Sequence, residues 1–252
     1  YNDLYRIVIG KSFSPTQVGY FNHAENLRLF PVSQLSAVLG KVTYPYFSNI
    51  EDDASLKNAY KKTMKLTTFV TLPVMLTLIL VAEEGFRFVF GEKWLPAVPY
   101  FQLLALASIV RPISTYNLNI LKVKGRSDLF LILEIVKKIL GVVLLIAFFQ
   151  FGVSGLVLSL LIFSYMSYGL NSLISGRFIN YSLIMQLRDI VICVFVGGAV
   201  YLLSLMIKTK YFLTANDLVV CIFFSSLYLL LYVPAVLYLD KELKSTILNL
   251  RR

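Results

Sequence analysis

Seven times along this chain, about twenty consecutive residues pass with little or no charge. The segments lie near 20–42, 63–83, 96–121, 128–150, 153–175, 188–207 and 216–239. Wound into helices at 1.5 Å per residue, runs of that length rise ~30 Å, the thickness of a bilayer's hydrocarbon core. The chain is 58% hydrophobic and 15% charged, against roughly 45–50% and 25% in soluble domains. Its sixteen Tyr and nineteen Phe suit a membrane interface. These features predict an all-α integral membrane protein, a polytopic helix bundle. Tyr1 to Ile9 already reads as part of an apolar helix, so the chain is read as the C-terminal portion of a longer protein with a truncated first helix.

The formal charge is +10, but the basic residues sit at the ends of apolar runs and form no cationic stripe with interleaved aromatics. Nucleic-acid binding is therefore not expected. Cys193 and Cys221 lie in apolar segments, where cysteine behaves as a small hydrophobe. With His23 as the lone histidine and no metal-ligand spacing, no metal or cofactor is expected. Residues 51–65, EDDASLKNAYKKTMK, break the pattern: an acidic start and a basic end suit a short amphipathic helix on the membrane surface.

Orientation follows from Lys and Arg. With connections alternating sides, one side collects fourteen: Lys41, Lys57, Lys61, Lys62, Lys65, Lys122, Lys124, Arg126, Arg177, Arg188, Lys241, Lys244, Arg251 and Arg252. The other collects five: Lys11, Arg87, Lys93, Lys208 and Lys210. Basic loops stay in the cytoplasm, which predicts a cytoplasmic C-terminus.

Five bases remain inside the spans, Arg6, Arg28, Arg111, Lys137 and Lys138, with three acids, Asp3, Glu25 and Glu134. Asp3–Arg6, Glu25–Arg28 and Glu134–Lys137 are spaced (i, i+3), and Glu134–Lys138 (i, i+4), so each acid shares a helix face with a base in the favourable acid-first order. Arg111 has no acid within a turn. Charge at that depth costs at least ~2.5–3.5 kcal/mol per residue and usually faces a partner or a wet cavity. Arg111 and Lys137 lie ~14–15 Å from the same end of neighbouring helices joined by the turn 122–127. That predicts a cation cluster of Arg111, Lys137 and Lys138 near the midplane, with Arg28 as a further cation. Glu134, Asp3 and Glu25 are the pairing or ion-coupling candidates. PISTYNLN (112–119) is polar for a span and suits a helix face turned to water. Pro31, Pro73, Pro112 and Pro234 are expected to kink their helices. His23 reads as an interfacial polar side chain that would titrate near neutral pH.

Four stretches carry a family likeness: VGYFNHAENL (18–27), YPYFSNIEDD (44–53), FGEKWLPAVPYFQLLALA (90–107) and KGRSDLFLILEI (124–135). With the helix spacing over residues 1 to about 180, they resemble the O-antigen and colanic-acid type of polysaccharide flippase. That family lies in the multidrug/oligosaccharidyl-lipid/polysaccharide exporter superfamily. His23 departs from the pattern, standing where relatives often carry arginine.

The resemblance implies two six-helix lobes related by a pseudo-two-fold axis, followed by two extra helices. Residues 1–179 would be the C-terminal lobe of this MATE-like fold, residues 180–252 the additional pair and cytoplasmic tail, and the N-terminal lobe would be missing. It also implies a transporter of the bacterial inner membrane that moves undecaprenyl-diphosphate-linked oligosaccharide by alternating access, coupled to a cation such as H+ or Na+. A lipid II flippase or a cation-coupled drug exporter of the same superfamily is the nearest alternative. A membrane-embedded polymerase or acyltransferase would need a catalytic constellation, and the outward loop near 83–95 offers Glu83, Glu84 and Glu92 but no histidine or nucleophile.

Overall fold

In a bilayer every backbone N–H and C=O must find its partner inside the chain, and a helix does this within one segment. The computed structural model describes residues 2–50, 52–212 and 216–249, with side chains at 2, 3, 35–45 and 249 left aside. In chain order the helices are α1 Asn2–Ser12, α2 Pro15–Ser48, α3 Asp53–Leu80, α4 Ala82–Phe90, a 3-10 turn Glu92–Ala97, α5 Val98–Ser108, α6 Arg111–Val123, α7 Ser127–Phe149, α8 Gly152–Phe178, α9 Leu183–Tyr211, α10 Asp217–Leu239 and α11 Lys241–Asn249. The fold is all-α and multi-pass.

Side chains set several of the helix boundaries. Ser14 and Gln17 form a reciprocal capping box at the start of α2, with Pro15 at the first helical position. Asp52 accepts from the Ser55 N–H at 2.8 Å to open α3, and Asn216 accepts from Leu218 N–H at 3.0 Å to open α10. The turn between α6 and α7 is a Schellman motif. Arg126 N–H reaches back to the Leu121 carbonyl at 2.8 Å, and Gly125 N–H to that of Lys122 at 3.0 Å. It requires a left-handed residue, and Gly125 has φ +66°.

Five stretches are long and apolar enough to cross a membrane: Asp53–Leu80, Glu92–Val123, Gly152–Phe178, Leu183–Tyr211 and Asp217–Leu239. The other two expected spans fall on α2 and α7, 34 and 23 residues long. Glu134, Lys137 and Lys138 sit near the middle of α7, so every 18-residue stretch of it holds at least three charges. Even so, Leu131, Ile135, Ile139, Val143 and Ile146 are exposed along one face of α7. That face is lipid-compatible; Glu134 and Lys137 turn away from it, and Lys138 stands at its margin.

α3 is the centre of the bundle. Its C-terminal half packs Leu72, Met75 and Ile79 against Cys193, Val196 and Val200 of α9 and Phe224, Tyr228 and Tyr232 of α10. Gly197 lets α10 approach closely enough for the Tyr228 hydroxyl to donate to the Gly197 carbonyl at 2.9 Å. A second cluster joins α1, α2, α5 and α8 through Tyr5, Phe21, Leu104 and Leu156. A third joins the N-terminal half of α3 to α6 and α8 through Tyr60, Met64, Tyr116 and Tyr168.

Two expectations are corrected. Residues 51–65 do not form a separate surface helix: from Asp53 they are the first turns of α3, and Leu56, Ala59, Tyr60, Met64 and Lys65 are buried. Lys65 is tolerated inside because Asp240 and Glu242 meet its ammonium at 2.6 and 3.0 Å. Nor is 96–121 one helix, since α5 and α6 are separated at Ile109–Val110. Pro112 has no N–H for the Ser108 carbonyl, and its ring crowds that same oxygen. By contrast α3 and α10 run unbroken through Pro73 and Pro234. The segment 83–95 folds as α4 and the 3-10 turn. It is pinned to the following helices by Arg87–Asp217 at 3.0 Å and Lys208–Glu84 at 2.7 Å.

Candidate functional site

The α5–α6 break brings Arg111 beside α2, α7 and α8. There a cavity of about 270 Å³ is lined by Arg28 of α2, Leu104 and Ala107 of α5, Arg111 and Ser114 of α6, Glu134, Lys137 and Lys138 of α7, and Leu160, Phe163, Ser164 and Ser167 of α8. Four of the cations expected from the sequence, and Glu134 with them, therefore face one space from three helices.

They stand differently within it. Arg28 is 4% exposed and fully engaged. Its Nε and Nη2 donate to the Glu25 carboxylate at 2.8 and 2.7 Å, and its Nη1 to the Ser108 hydroxyl at 2.9 Å. Ser108 in turn donates to the Leu104 carbonyl at 2.8 Å, which fixes the guanidinium against α5. Lys137 is buried and paired with half-buried Glu134 one turn earlier. Arg111 and Lys138 are exposed to the cavity, and no carboxylate lies within 4 Å of either among the described residues. Four cations against Glu134, and Glu25 behind Arg28, leave a formal surplus of two positive charges.

Glu25 lies behind Arg28 and does not line the cavity. Asp3 falls among the side chains outside the described set; its expected partner Arg6 donates to Asn26 at 3.4 Å. Glu134 pairs with Lys137, leaving Lys138 at the margin of the lipid-facing surface. His23 lies 4.3 Å from both Trp94, at a tilt, and Phe90, edge to face, an aromatic setting away from the cation cavity.

The sequence reading missed two features. One is the hydroxyl set, Ser108, Ser114, Ser164 and Ser167; the (i, i+3) spacing of Ser164 and Ser167 was its one local signal. The other is a buried polar network across α3, α6, α8 and α9. Asn117 accepts from Tyr60 and Ser175 at 2.8 and 2.6 Å and donates to Ser172 at 2.9 Å. Gln186 accepts from Ser172 at 3.1 Å and donates to the Tyr181 carbonyl at 3.1 Å. The polar run 112–119 thus divides: Ser114 lines the cavity, while Asn117 faces protein rather than water.

In chemical terms the cavity offers a planar fork, two ammonium groups and hydroxyls around one space between the helices. Such a set is suited to an oxyanion; an organic cation would meet net repulsion there. Among the described residues no cluster of His, Cys, Asp and Glu is arranged to hold a metal ion.

The fold and the cavity define a multi-pass α-helical membrane protein with a cationic chamber between its helices. Residues 1–99 match the family described as polysaccharide biosynthesis protein. The chain is 31% identical over 124 residues to the teichuronic acid biosynthesis protein TuaB of Bacillus subtilis (strain 168), covering 49% of this chain and 26% of that one. It is 27% identical over 128 residues to the lipopolysaccharide biosynthesis protein WzxC of Escherichia coli (strain K12), covering 50% and 26%. With the succinoglycan biosynthesis transport protein ExoT of Rhizobium meliloti (strain 1021) it shares 31% over 113 residues, covering 44% and 23%. The chain spans about a quarter of the length of these relatives. No solved structure matches it. The matches support the polysaccharide-flippase resemblance and do not favour the drug-exporter or enzyme alternatives.

Proposed function

We propose that this chain is the C-terminal lobe, with two additional helices, of a flippase that carries undecaprenyl-diphosphate-linked oligosaccharide across the bacterial inner membrane. The observation that carries this reading is the convergence of Arg28, Arg111, Lys137 and Lys138 on one cavity between the helices. A diphosphate brings two or more negative charges, and the cavity has an excess of two positive ones. Arg111 and Lys138 hold no carboxylate of their own, so they are the groups free to take phosphate oxygens. Arg28, held by Glu25 and Ser108, forms a fixed wall.

Lys137 is released to the substrate when Glu134 lets go of it. Protonation of Glu134, or a cation such as Na+ at its carboxylate, would do so, and that makes Glu134 the coupling candidate. The site lies between helices near the midplane, the usual place in repeat-built transporters, where two lobes rock around a central site. The N-terminal lobe would close the chamber from the other side. On this reading the protein is a transporter and not an enzyme, and the basic connections place its C-terminus in the cytoplasm. The similarity to proteins named for lipopolysaccharide biosynthesis and succinoglycan transport supports it.

The test is complementation of a deletion strain with the full-length gene. Arg111→Ala and Lys137→Ala, at wild-type expression, should each abolish surface polysaccharide and accumulate the lipid-linked repeat unit inside. Normal surface glycan from both variants contradicts the assignment.

A further inference from the structure

Between α8 and α9, on the far side of α8 from the cation cavity, the bundle leaves an apolar groove of about 540 Å³. Tyr165, Tyr168 and Gly169 face it, whereas Phe163, Ser164 and Ser167 face the cavity, so α8 separates the two spaces. Leu72 of α3 and Leu187 of α9 are among the walls. Two glycines open it, Gly169 on α8 and Gly198 on α9, and a Cβ at either would meet no atom within 4 Å. The lining follows α9 from Leu183 to Gly198, ~22 Å at 1.5 Å per residue. One leaflet's share of a ~30 Å core is shorter than that.

At its Leu183 end the groove adjoins a second cavity of about 460 Å³, lined by Leu173 and Met185 but also by Arg177, Asn180 and Ser182, with Leu183 bordering both. Arg177 is exposed there, and none of the ion pairs among the described residues uses it. Arg126 stacks on the neighbouring Phe178 at 5.4 Å, but its charge is paired with Asp128 at 2.7 Å, so Arg177 is the cation left at this end. The groove is walled by α3, α5, α6, α8 and α9, all within stretches long and apolar enough to span a membrane. A peptide segment would bring backbone groups that nothing in the groove satisfies. A long apolar slot ending in an unpaired cation fits one kind of molecule.

We propose that this cleft holds an anionic phospholipid of the leaflet on the Arg177 side, its acyl chain along α9 between α8 and α3 and its phosphate at Arg177. The lipid fills the seam that joins the α9–α10 pair to α8. It is a site separate from the transport cavity, and it does not depend on what that cavity carries.

The full-length protein, reconstituted in nanodiscs of mixed phosphatidylglycerol and phosphatidylcholine and then extracted for native mass spectrometry, tests the proposal. Wild type should retain phosphatidylglycerol. The double variant Gly169→Leu/Gly198→Leu fills the slot without a backbone clash and should lose it, and Gly169→Leu alone serves if the pair does not fold. Arg177→Glu should abolish the preference for phosphatidylglycerol over phosphatidylcholine, and Arg177→Lys should keep it. Equal retention in wild type and the glycine variants overturns the site. An unchanged preference in Arg177→Glu, or a polyprenyl phosphate held in place of phospholipid, overturns the occupant.

Discussion

The Arg28 guanidinium holds the Glu25 carboxylate through two charge-assisted hydrogen bonds, at 2.7 and 2.8 Å, inside the bundle where neither side chain is more than 4% exposed. The pair is local, one turn apart on α2, yet Ser108 on α5 completes it. Removing one member strands the other. Glu25→Gln should cost ~3–5 kcal/mol, the penalty of an uncompensated buried charge, while Glu25→Gln combined with Arg28→Met should recover most of it. Melting of the two variants in detergent measures this; equal destabilisation in single and double variants contradicts it.

Asn117 is the hub of the buried polar network, with partners on α3 and α8. Asn117→Ala leaves Ser172 and Ser175 without it, and stranded buried groups cost ~1–3 kcal/mol each. A lowered melting temperature is expected, with faster amide exchange at the N-terminal end of α9, where Gln186 is joined to the same network. Exchange there at the wild-type rate would show that the network does not hold α9.

Glu242 lies at the start of α11 between Lys61 and Lys65, at 2.9 and 3.0 Å. Burial pushes its carboxyl up, but the hydrogen bonds and charge of Lys61 and Lys65 outweigh that and hold it below the ordinary value of 4.5. A depressed folded-state value means that the clamp stabilises above the ordinary value and fails as pH falls through the lowered one. Amide protection in α11 should therefore persist at neutral pH and be lost only as the pH falls below the ordinary carboxyl value of 4.5. Glu242→Gln should show the weakened protection already at neutral pH. A flat profile in wild type would contradict the clamp.

Pro112 breaks the α5–α6 span and so sets where Arg111 points. Pro112→Ala restores an N–H for the Ser108 carbonyl and should leave stability equal or higher, since proline inside a helix costs ~3 kcal/mol. Transport should fall, because a straightened helix carries Arg111 out of register with α7. Wild-type transport with a raised melting temperature would mean that the break plays no part in the site.

Much of this was legible from the sequence where it is local or periodic. Two acid-first spacings, Glu25–Arg28 and Glu134–Lys137, became the ion pairs the helix period implies. The shared cavity followed because α6 and α7 are neighbours through a short turn. The fate of residues 51–65 was not legible, because Lys65 finds its carboxylates on Asp240 and Glu242. A lysine stripe looks the same in sequence whether it faces water or a partner that arrives seven helices later. Ser108 was hidden for the same reason, since a serine in an apolar run carries no mark of the side chain across from it; Asn117 stood in the polar run 112–119, but its protein partners on α3 and α8 were not visible there. The helix break was half visible: Pro112 was noted, but four prolines look alike in sequence and the chain separates helices at this one while α3 and α10 continue through theirs.

The central claim is that the cation cavity binds a lipid diphosphate, and the most direct measurement is affinity. Undecaprenyl diphosphate binding to the full-length protein in nanodiscs should weaken ~10–100-fold in Arg111→Gln, the worth of a hydrogen bond to a charged group at ~1.5–3 kcal/mol. Lys138→Gln should weaken it by a similar factor and Lys137→Gln, whose ammonium Glu134 holds, by less, while the exposed surface change Lys244→Gln leaves it unchanged. Wild-type affinity in both Arg111→Gln and Lys138→Gln would contradict the account.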